Sequence, residues 1–151
     1  MTQTVKAVYE HDVHIRDATP DDATAVFQLA SQLHAAFVID SACFAASYRH
    51  ALQDDQHCCV VAVLNGQTIG YASGYRHIAF YANGPVADLD EIVVAPRLRG
   101  VGIGTQLVAA FEAWAHDNQC RPVSLATAGA RGVYDKCGSA STARDYKKYR
   151  S

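Results

Sequence analysis

The sequence predicts a single α/β domain in which a twisted, mixed β-sheet is flanked by helices. The chain has 151 residues, a length that fits one domain and leaves little room for two. Half of the residues are apolar and 19% are charged, which is typical of a globular chain. Segments with the alternation of strands and segments with helical spacing follow one another along the chain, and no repeat or linker separates them.

The first part of the chain predicts one strand and two helices. Val13–Ala18 alternates as a short strand. Thr19 is expected to cap the helix that follows, because Pro20 suits the first helical position. Ser41 is expected to cap a second helix. Apolar residues recur at helical spacing in both segments: Val26, Leu29, Ala30 and Leu33 in the first, and Phe44, Tyr48 and Leu52 in the second.

The middle of the chain predicts a β-hairpin. The runs His57–Leu64 and Gln67–Tyr75 are rich in β-branched and aromatic residues, and Asn65-Gly66 separates them. This dipeptide favours a type I′ turn, because both central residues of that turn need a positive φ. Strand structure is expected to continue through Arg76–Tyr81, and Asn83-Gly84-Pro85 is expected to be a loop.

The remaining elements predict a crossover connection. Val86–Val94 reads as a strand, Gly102–Asn118 as a helix and Pro122–Thr127 as a short strand, followed by a short helix at Arg131–Lys136 and a last strand at Thr142–Tyr149. The helix buries one face, formed by Ile103, Leu107, Phe111 and Trp114. The order β-α-α-β-β-β-α-β-α-β therefore indicates antiparallel strands first and a parallel pair around a helix later.

Composition argues against several classes of partner. The net charge is −2, whereas a nucleic-acid-binding chain usually has a basic excess. No run approaches the about 18 apolar residues of a membrane span, and the N-terminus lacks the apolar core of a secretory signal, so a cytoplasmic location is expected. The five cysteines show no zinc-ligand spacing, and neither a metal nor a disulfide framework is expected: Cys43, Cys58, Cys59, Cys120 and Cys137.

The stretch Val93–Thr105 predicts an anion-binding turn. A buried strand ends, a basic turn follows, and alternating glycines lead into a helix. Glycines let a phosphate approach the backbone, and the helix N-terminus adds a positive potential. A Walker A loop would need a lysine after Gly104, and a dinucleotide fingerprint would need a different glycine spacing, so neither fits. The pattern [RQ]-x-x-G-x-[GA] fits Arg99-Gly100-Val101-Gly102-Ile103-Gly104.

With this pattern the sequence resembles the GNAT superfamily of acyl-CoA-dependent N-acetyltransferases. The flanks agree with the resemblance, since the acidic strand Asp90-Glu91-Ile92-Val93-Val94 precedes the turn and Tyr134-Asp135-Lys136-Cys137-Gly138 follows the next strand. The resemblance extends over nearly the whole chain. It implies a GNAT fold whose sheet splays between the Val86–Val94 and Pro122–Thr127 strands to admit acetyl-CoA.

The resemblance also implies which residues hold acetyl-CoA. Pantetheine would pair with the strand end at Val93 and Val94. Where many members have an asparagine, this chain has Thr127, whose hydroxyl replaces only part of an amide's hydrogen bonding. The aromatic residue usual after the last glycine is replaced by Ser139. The pyrophosphate would lie on the backbone amides of Arg99, Gly100, Val101, Gly102, Ile103, Gly104 and Thr105.

Acetyl transfer to an amine needs a proton acceptor, because an alkylamine is almost wholly protonated at pH 7. Glu91 is the first candidate for this general base and Asp90 the second. On a regular strand they would face opposite sides, and a bulge would change which one faces the acceptor. Alternatively, either is a solvated carboxylate or pairs with Arg97 or Arg99.

Two further groups are expected to assist the transfer. A backbone N–H near Val93 or Val94 is placed to stabilise the oxyanion that forms. Tyr134 occupies the position of the family's general acid and would protonate the leaving thiolate. A cysteine nucleophile finds little support, because no cysteine has a histidine partner in a motif.

The acceptor is expected to be a small cationic amine. Asp88, Asp90 and Glu91 place negative charge beside the expected site. The resemblance makes polyamines, aminoglycosides, aminoalkylphosphonates, amino acids and amino sugars candidate acceptors, and homodimerisation is a further expectation. The residues expected to line the acceptor pocket are His34, Phe37, Tyr75, His77 and Tyr81.

Two rival functions stay open. A protein acetyltransferase acting on lysine or an N-terminus would need an open groove rather than a closed pocket. A non-catalytic acyl-CoA-binding module would not need Tyr134 or the acidic strand. Acetyl-CoA binding together with turnover on an amine panel separates these alternatives.

Overall fold

The computed structural model describes residues 12–33 and 37–125. The helix at Arg131–Lys136 and the strand at Thr142–Tyr149 lie outside these residues and stay predictions. The described strands are β1 (His14–Asp17), β2 (His57–Leu64), β3 (Gln67–Ala79), β4 (Gly84–Val94) and β5 (Val123–Leu125). The described helices are α1 (Ala23–Ala30), α2 (Ser41–Gln53) and α3 (Ile103–Asp117).

The sheet has the predicted mixed topology. Its spatial order is β1-β2-β3-β4-β5, with antiparallel pairing from β1 through β4. β5 pairs in parallel with β4, and α3 makes the crossover between them. The β2–β3 turn confirms the hairpin prediction, because Asn65 and Gly66 have φ values of +51° and +76°.

Apolar side chains cover both faces of the sheet. On one face α3 buries Ile103, Leu107 and Phe111 as the periodicity predicted, with Trp114 packed partly buried beside them. On the other face α1 and α2 pack Val26, Leu29 and Tyr48 against the sheet. The sheet's contributions to this second core are Val61, Tyr71 and Val93. In the described residues, no helix is long and apolar enough to span a bilayer.

Three local predictions were wrong. Strand structure does not continue to Tyr81, because β3 ends at Ala79 and Phe80–Ala82 forms a 3-10 turn. Asp40, not Ser41, caps α2: its carboxylate accepts a hydrogen bond from the Cys43 N–H at 2.8 Å, the interaction that favours aspartate at this position. Gly84 and Pro85 belong to β4 rather than to a loop, pairing with Ala79 and Ile78. Proline is tolerated here because it lies at the beginning of the strand.

Candidate active site

The turn between β4 and α3 presents backbone N–H groups at the start of a helix. Pro96–Leu98 makes one 3-10 turn, after which Gly100 and Gly102 adopt left-handed φ values of +81° and +92°. Gly102 caps α3, and its carbonyl accepts from the Gln106 N–H at 3.2 Å. The earlier N–H groups of the helix have no partner within it and carry its positive potential.

Arg99 ties this turn to the end of β4. Its side chain is exposed, and its Nε donates to the Val94 carbonyl at 3.1 Å. A guanidinium has five N–H donors, so the same side chain can also contact a phosphate. A Cβ built at Gly100 would meet no atom within 4 Å, so this side of the turn is open to a ligand. Both observations fit the anion-binding role expected from the sequence.

Val93 and Val94 end β4 beside this turn. Val93 is buried in the core beneath α1 and α2, and Val94 packs against the α3 side. The described part of β5 pairs with Ala87–Leu89, while β4 runs on to Val94. The splay that the resemblance implies would begin after this pairing, and it stays a prediction, as does Thr127, which lies outside the described residues.

A β-bulge in β4 gives the two candidate bases, Asp90 and Glu91, different surroundings. Ser73 pairs with Glu91 and the next residue, Gly74, pairs with Leu89, so Asp90 is the extra residue. Leu89 and Ile92 consequently both pack in the core on the α3 side, although they are three positions apart. Asp90 is exposed, whereas Glu91 is half-buried.

Glu91 lies on the face of the sheet that α1 and α2 cover. The Tyr71 hydroxyl, buried on this face, donates to Glu91 Oε1 at 3.3 Å. Burial, and then the negative charge of Glu91, raise the pKa of Tyr71 well above its usual range, so Tyr71 remains a hydrogen-bond donor. The carboxylate is therefore held by a fixed donor at the middle of the sheet.

The cysteines next to this position are not activated. Burial raises the pKa of the Cys59 thiol to about 12, with smaller contributions from Cys58 and Glu91. Burial likewise raises the pKa of Cys58 to about 12. Both remain protonated thiols at neutral pH, in agreement with the little support that the sequence gave to a cysteine nucleophile.

Sequence reasoning missed a histidine–serine pair on the same face. His57 Nε2 lies 2.8 Å from the hydroxyl of Ser73, which is 9% exposed. Burial lowers the pKa of His57, so its imidazole is mainly neutral near pH 7. Strand alternation places positions 57 and 73 on a common face only once the β2–β3 register is known, and this register brings the two side chains together.

The expected acceptor residues are only partly brought together. Tyr75 and His77 lie side by side on β3, with ring centroids 5.5 Å apart, and His77 Nδ1 is 3.0 Å from Asp88 Oδ2. Burial, followed by the charges of Asp88 and Asp90, raises the pKa of Tyr75. Asp88, Asp90 and Glu91 lie close together on β4, and we call these three carboxylates the acidic surface.

The other expected acceptor residues are more scattered. Tyr81 lies in the turn after β3, about 20 Å along the strand from Ser73, and is 79% exposed. Phe37 precedes α2 and is 53% exposed. His34 and Tyr134 lie outside the described residues. Within those residues no group of three or more potential ligands is arranged to hold a metal ion.

Comparisons with known proteins agree on one family. A model of the acetyltransferase (GNAT) family matches residues 24–139. An aminoglycoside N(6')-acetyltransferase type 1 from Stenotrophomonas maltophilia is 32% identical over 140 residues, which cover 86% of this chain and 88% of that relative. The corresponding relative from Salmonella typhimurium is 33% identical over 90 residues, covering 56% of this chain and 61% of its own.

Solved structures share the fold. The aminoglycoside N-acetyltransferase AAC(6')-Iy in complex with CoA superposes with a TM-score of 0.80 at 24% identity, covering 91% of this chain and 94% of its own. Glucosamine-6-phosphate N-acetyltransferase from Arabidopsis thaliana superposes with a TM-score of 0.79 at 21% identity, covering 92% and 99%.

Proposed function

This chain belongs to the GNAT acetyltransferase family, and from that premise we propose that it acetylates a primary amine of a small cationic molecule. Acetyl-CoA, the acetyl donor of the family, supplies an activated thioester. The observation that carries the proposal is the position of Glu91. It belongs to the acidic surface, and the bulge brings it beside the buried Tyr71 hydroxyl.

The turn before α3 supplies the site for the donor's pyrophosphate. The backbone N–H groups from Arg99 to Thr105 lie at the positive end of a helix, and Gly100 and Gly102 leave no side chain in the way. Arg99 adds a cationic donor beside them. Val93 and Val94 would bind the pantetheine arm through their backbone. Thr127 would replace part of the asparagine interaction found in many relatives.

Glu91 is the proposed general base. An acceptor ammonium must lose a proton before its nitrogen can attack. The half-buried Glu91 carboxylate, on the face of the sheet covered by α1 and α2, would take that proton. Asp90, exposed on the bulge, would instead contribute negative charge at the entrance. A backbone N–H near Val93 or Val94 would stabilise the negative charge that develops as the thioester is attacked. Tyr134 would donate the proton that the departing thiolate needs.

The acidic surface supports a cationic acceptor. Asp88, Asp90 and Glu91 lie near one another on β4, with Asp88 beside the aromatic ring of Tyr75. An ammonium is attracted both to carboxylates and to the face of an aromatic ring. The named substrates of the curated relatives, aminoglycosides, carry several ammonium groups and are the first acceptors to test.

The test is turnover on a panel of amines. With acetyl-CoA, release of free thiol is expected with neamine and spermidine, and much less with glucosamine 6-phosphate, whose phosphate would meet the acidic surface. A lysine-containing peptide serves as the protein-like acceptor. Faster turnover on the peptide than on neamine would favour a protein acetyltransferase. Thermal stabilisation by acetyl-CoA without turnover on any amine would favour a binding module.

A further inference from the structure

Three polar residues lie in a row across the middle of the sheet, on the face covered by α1 and α2. Ser73 of β3 pairs with Glu91 of β4 on one side and with Cys59 of β2 on the other. His57 is diagonal to Ser73 across the β2–β3 pair. The row therefore leads from the proposed base, through a buried hydroxyl, to an imidazole.

One link of this row is a hydrogen bond, and the other is a strand pair, Ser73 opposite Glu91. His57 Nε2 and Ser73 Oγ are 2.8 Å apart. Directly opposed residues on neighbouring antiparallel strands have Cβ atoms about 4.5–5.5 Å apart, a separation that a serine hydroxyl and a glutamate carboxylate can bridge. Ser73 is 9% exposed, so bulk water has little access to its hydroxyl.

His57 lies at the outer end of the row. The titratable groups beside it are Asp54 and His50 at the end of α2, both exposed, and Tyr75 is its partner on β3. Burial lowers the pKa of His57, Asp54 opposes this effect and His50 adds to it. A neutral imidazole with an Nε2 lone pair can accept the Ser73 proton, and the exposed groups beside it mark a way out to solvent.

We propose that Ser73 and His57 carry the acceptor's proton from Glu91 to solvent. Neither residue touches the substrate, so both act on the reaction through Glu91, as positioning residues. The proposal rests on the assignment of Glu91 as base. A proton taken from the substrate ammonium leaves the Glu91 carboxyl for Ser73 Oγ while the Ser73 hydroxyl proton moves to His57 Nε2. The resulting imidazolium releases its Nδ1 proton to water, which regenerates the Glu91 carboxylate and the neutral imidazole.

The test compares Ser73→Ala, Ser73→Thr and His57→Gln with the wild type, using neamine and acetyl-CoA. Ser73→Ala and His57→Gln are each expected to lower kcat at least about 10-fold, with KM for acetyl-CoA unchanged. Ser73→Thr, which keeps the hydroxyl, should restore most of the rate. Combining Ser73→Ala with His57→Gln should cost no more than either change alone, because both interrupt one route. His14→Gln, an exposed histidine on β1, is the matched control and should leave kcat unchanged.

Buffer dependence separates proton transfer from a structural role. At constant pH, raising the concentration of an imidazole buffer should increase kcat of Ser73→Ala and His57→Gln but not that of the wild type. A kcat for Ser73→Ala within twofold of wild type, or a loss restored neither by threonine nor by buffer, would overturn the proposal. Glu91→Gln separates a failure of the proton relay from a failure of the base assignment. If Glu91→Gln is inactive while Ser73→Ala is active, only the relay is wrong. If Glu91→Gln is fully active, the assignment of Glu91 as base is wrong.

Discussion

Asp90 and Glu91 are neighbours in the sequence, but the bulge gives them different surroundings. Glu91 is half-buried and accepts from the Tyr71 hydroxyl, whereas Asp90 is exposed. We expect Glu91→Gln to lower kcat/KM for neamine about 100-fold, because the amide cannot take the ammonium proton. Asp90→Asn, the matched control, should lower it less than about tenfold, chiefly by raising KM. Steady-state kinetics measure both changes, and equal losses would contradict the assignment.

Tyr134 is the proposed acid for the departing thiolate. We expect Tyr134→Phe to lower kcat about 100-fold while the affinity for acetyl-CoA stays near normal, because the ring remains and only the O–H is lost. Thiol release measures the first quantity and calorimetric titration with acetyl-CoA the second. Unchanged turnover would show that another group protonates the thiolate.

The turn before α3 depends on the backbone conformation of Gly102. Its φ of +92° is costly for any residue with a Cβ, by roughly 1–2 kcal/mol. We expect Gly102→Ala to raise KM for acetyl-CoA about tenfold, because the amides at the helix start would shift, and to leave the KM for neamine nearly unchanged. Gly66→Ala at the β2–β3 turn, with a φ of +76° and open space around it, is the matched control. It should destabilise the fold comparably without altering KM for acetyl-CoA.

Elements whose signals are local could be predicted from the sequence. The β2–β3 hairpin follows from Asn65-Gly66, because few other residue pairs adopt two positive φ values, and the buried face of α3 follows from its spacing. The start of β4 was misplaced because Asn83-Gly84-Pro85 has the composition of a loop. The 3-10 turn Phe80–Ala82 and Asn83, at a φ of +55°, complete the reversal, so Gly84 and Pro85 enter the strand.

Features of the candidate site that depend on register were outside what the sequence could predict. The anion-binding turn and the pair of acidic candidates could be found from motif and charge. Which of the two carboxylates lies on the face covered by α1 and α2 depends on where the bulge falls between β3 and β4. The His57–Ser73 contact depends on the pairing of β2 with β3, which joins residues sixteen positions apart.

Asp22 links the first strand, the first helix and the sheet. Its carboxylate accepts from both Nη atoms of Arg16 at 2.7 and 3.0 Å, from the Thr19 N–H at 2.8 Å and from the Thr68 hydroxyl at 2.7 Å. Burial alone would raise the pKa of Asp22, but these hydrogen bonds, led by those from Arg16, outweigh it and hold the pKa well below its usual range.

The depressed pKa of Asp22 predicts a pH-dependent stability. The ionised carboxylate contributes fully above the unfolded-state pKa, near ~4, and this contribution is lost as the pH falls toward the lower folded-state pKa. We expect Asp22→Asn to lower the free energy of unfolding by about 2 kcal/mol at pH 7, and by progressively less below about pH 4. Asp21→Asn, an exposed neighbour, is the control in urea unfolding series. A pH-independent difference for Asp22→Asn would contradict this explanation.

The acidic surface formed by Asp88, Asp90 and Glu91 is the proposed acceptor site for acetyl transfer. The most direct measurement is mass spectrometry of neamine after incubation with acetyl-CoA and either the wild type or Glu91→Gln. We expect acetylated neamine with the wild type and at most a trace with the variant, while both proteins are stabilised by acetyl-CoA. Unmodified neamine with a wild type that acetyl-CoA stabilises, or equal product from both proteins, would contradict it.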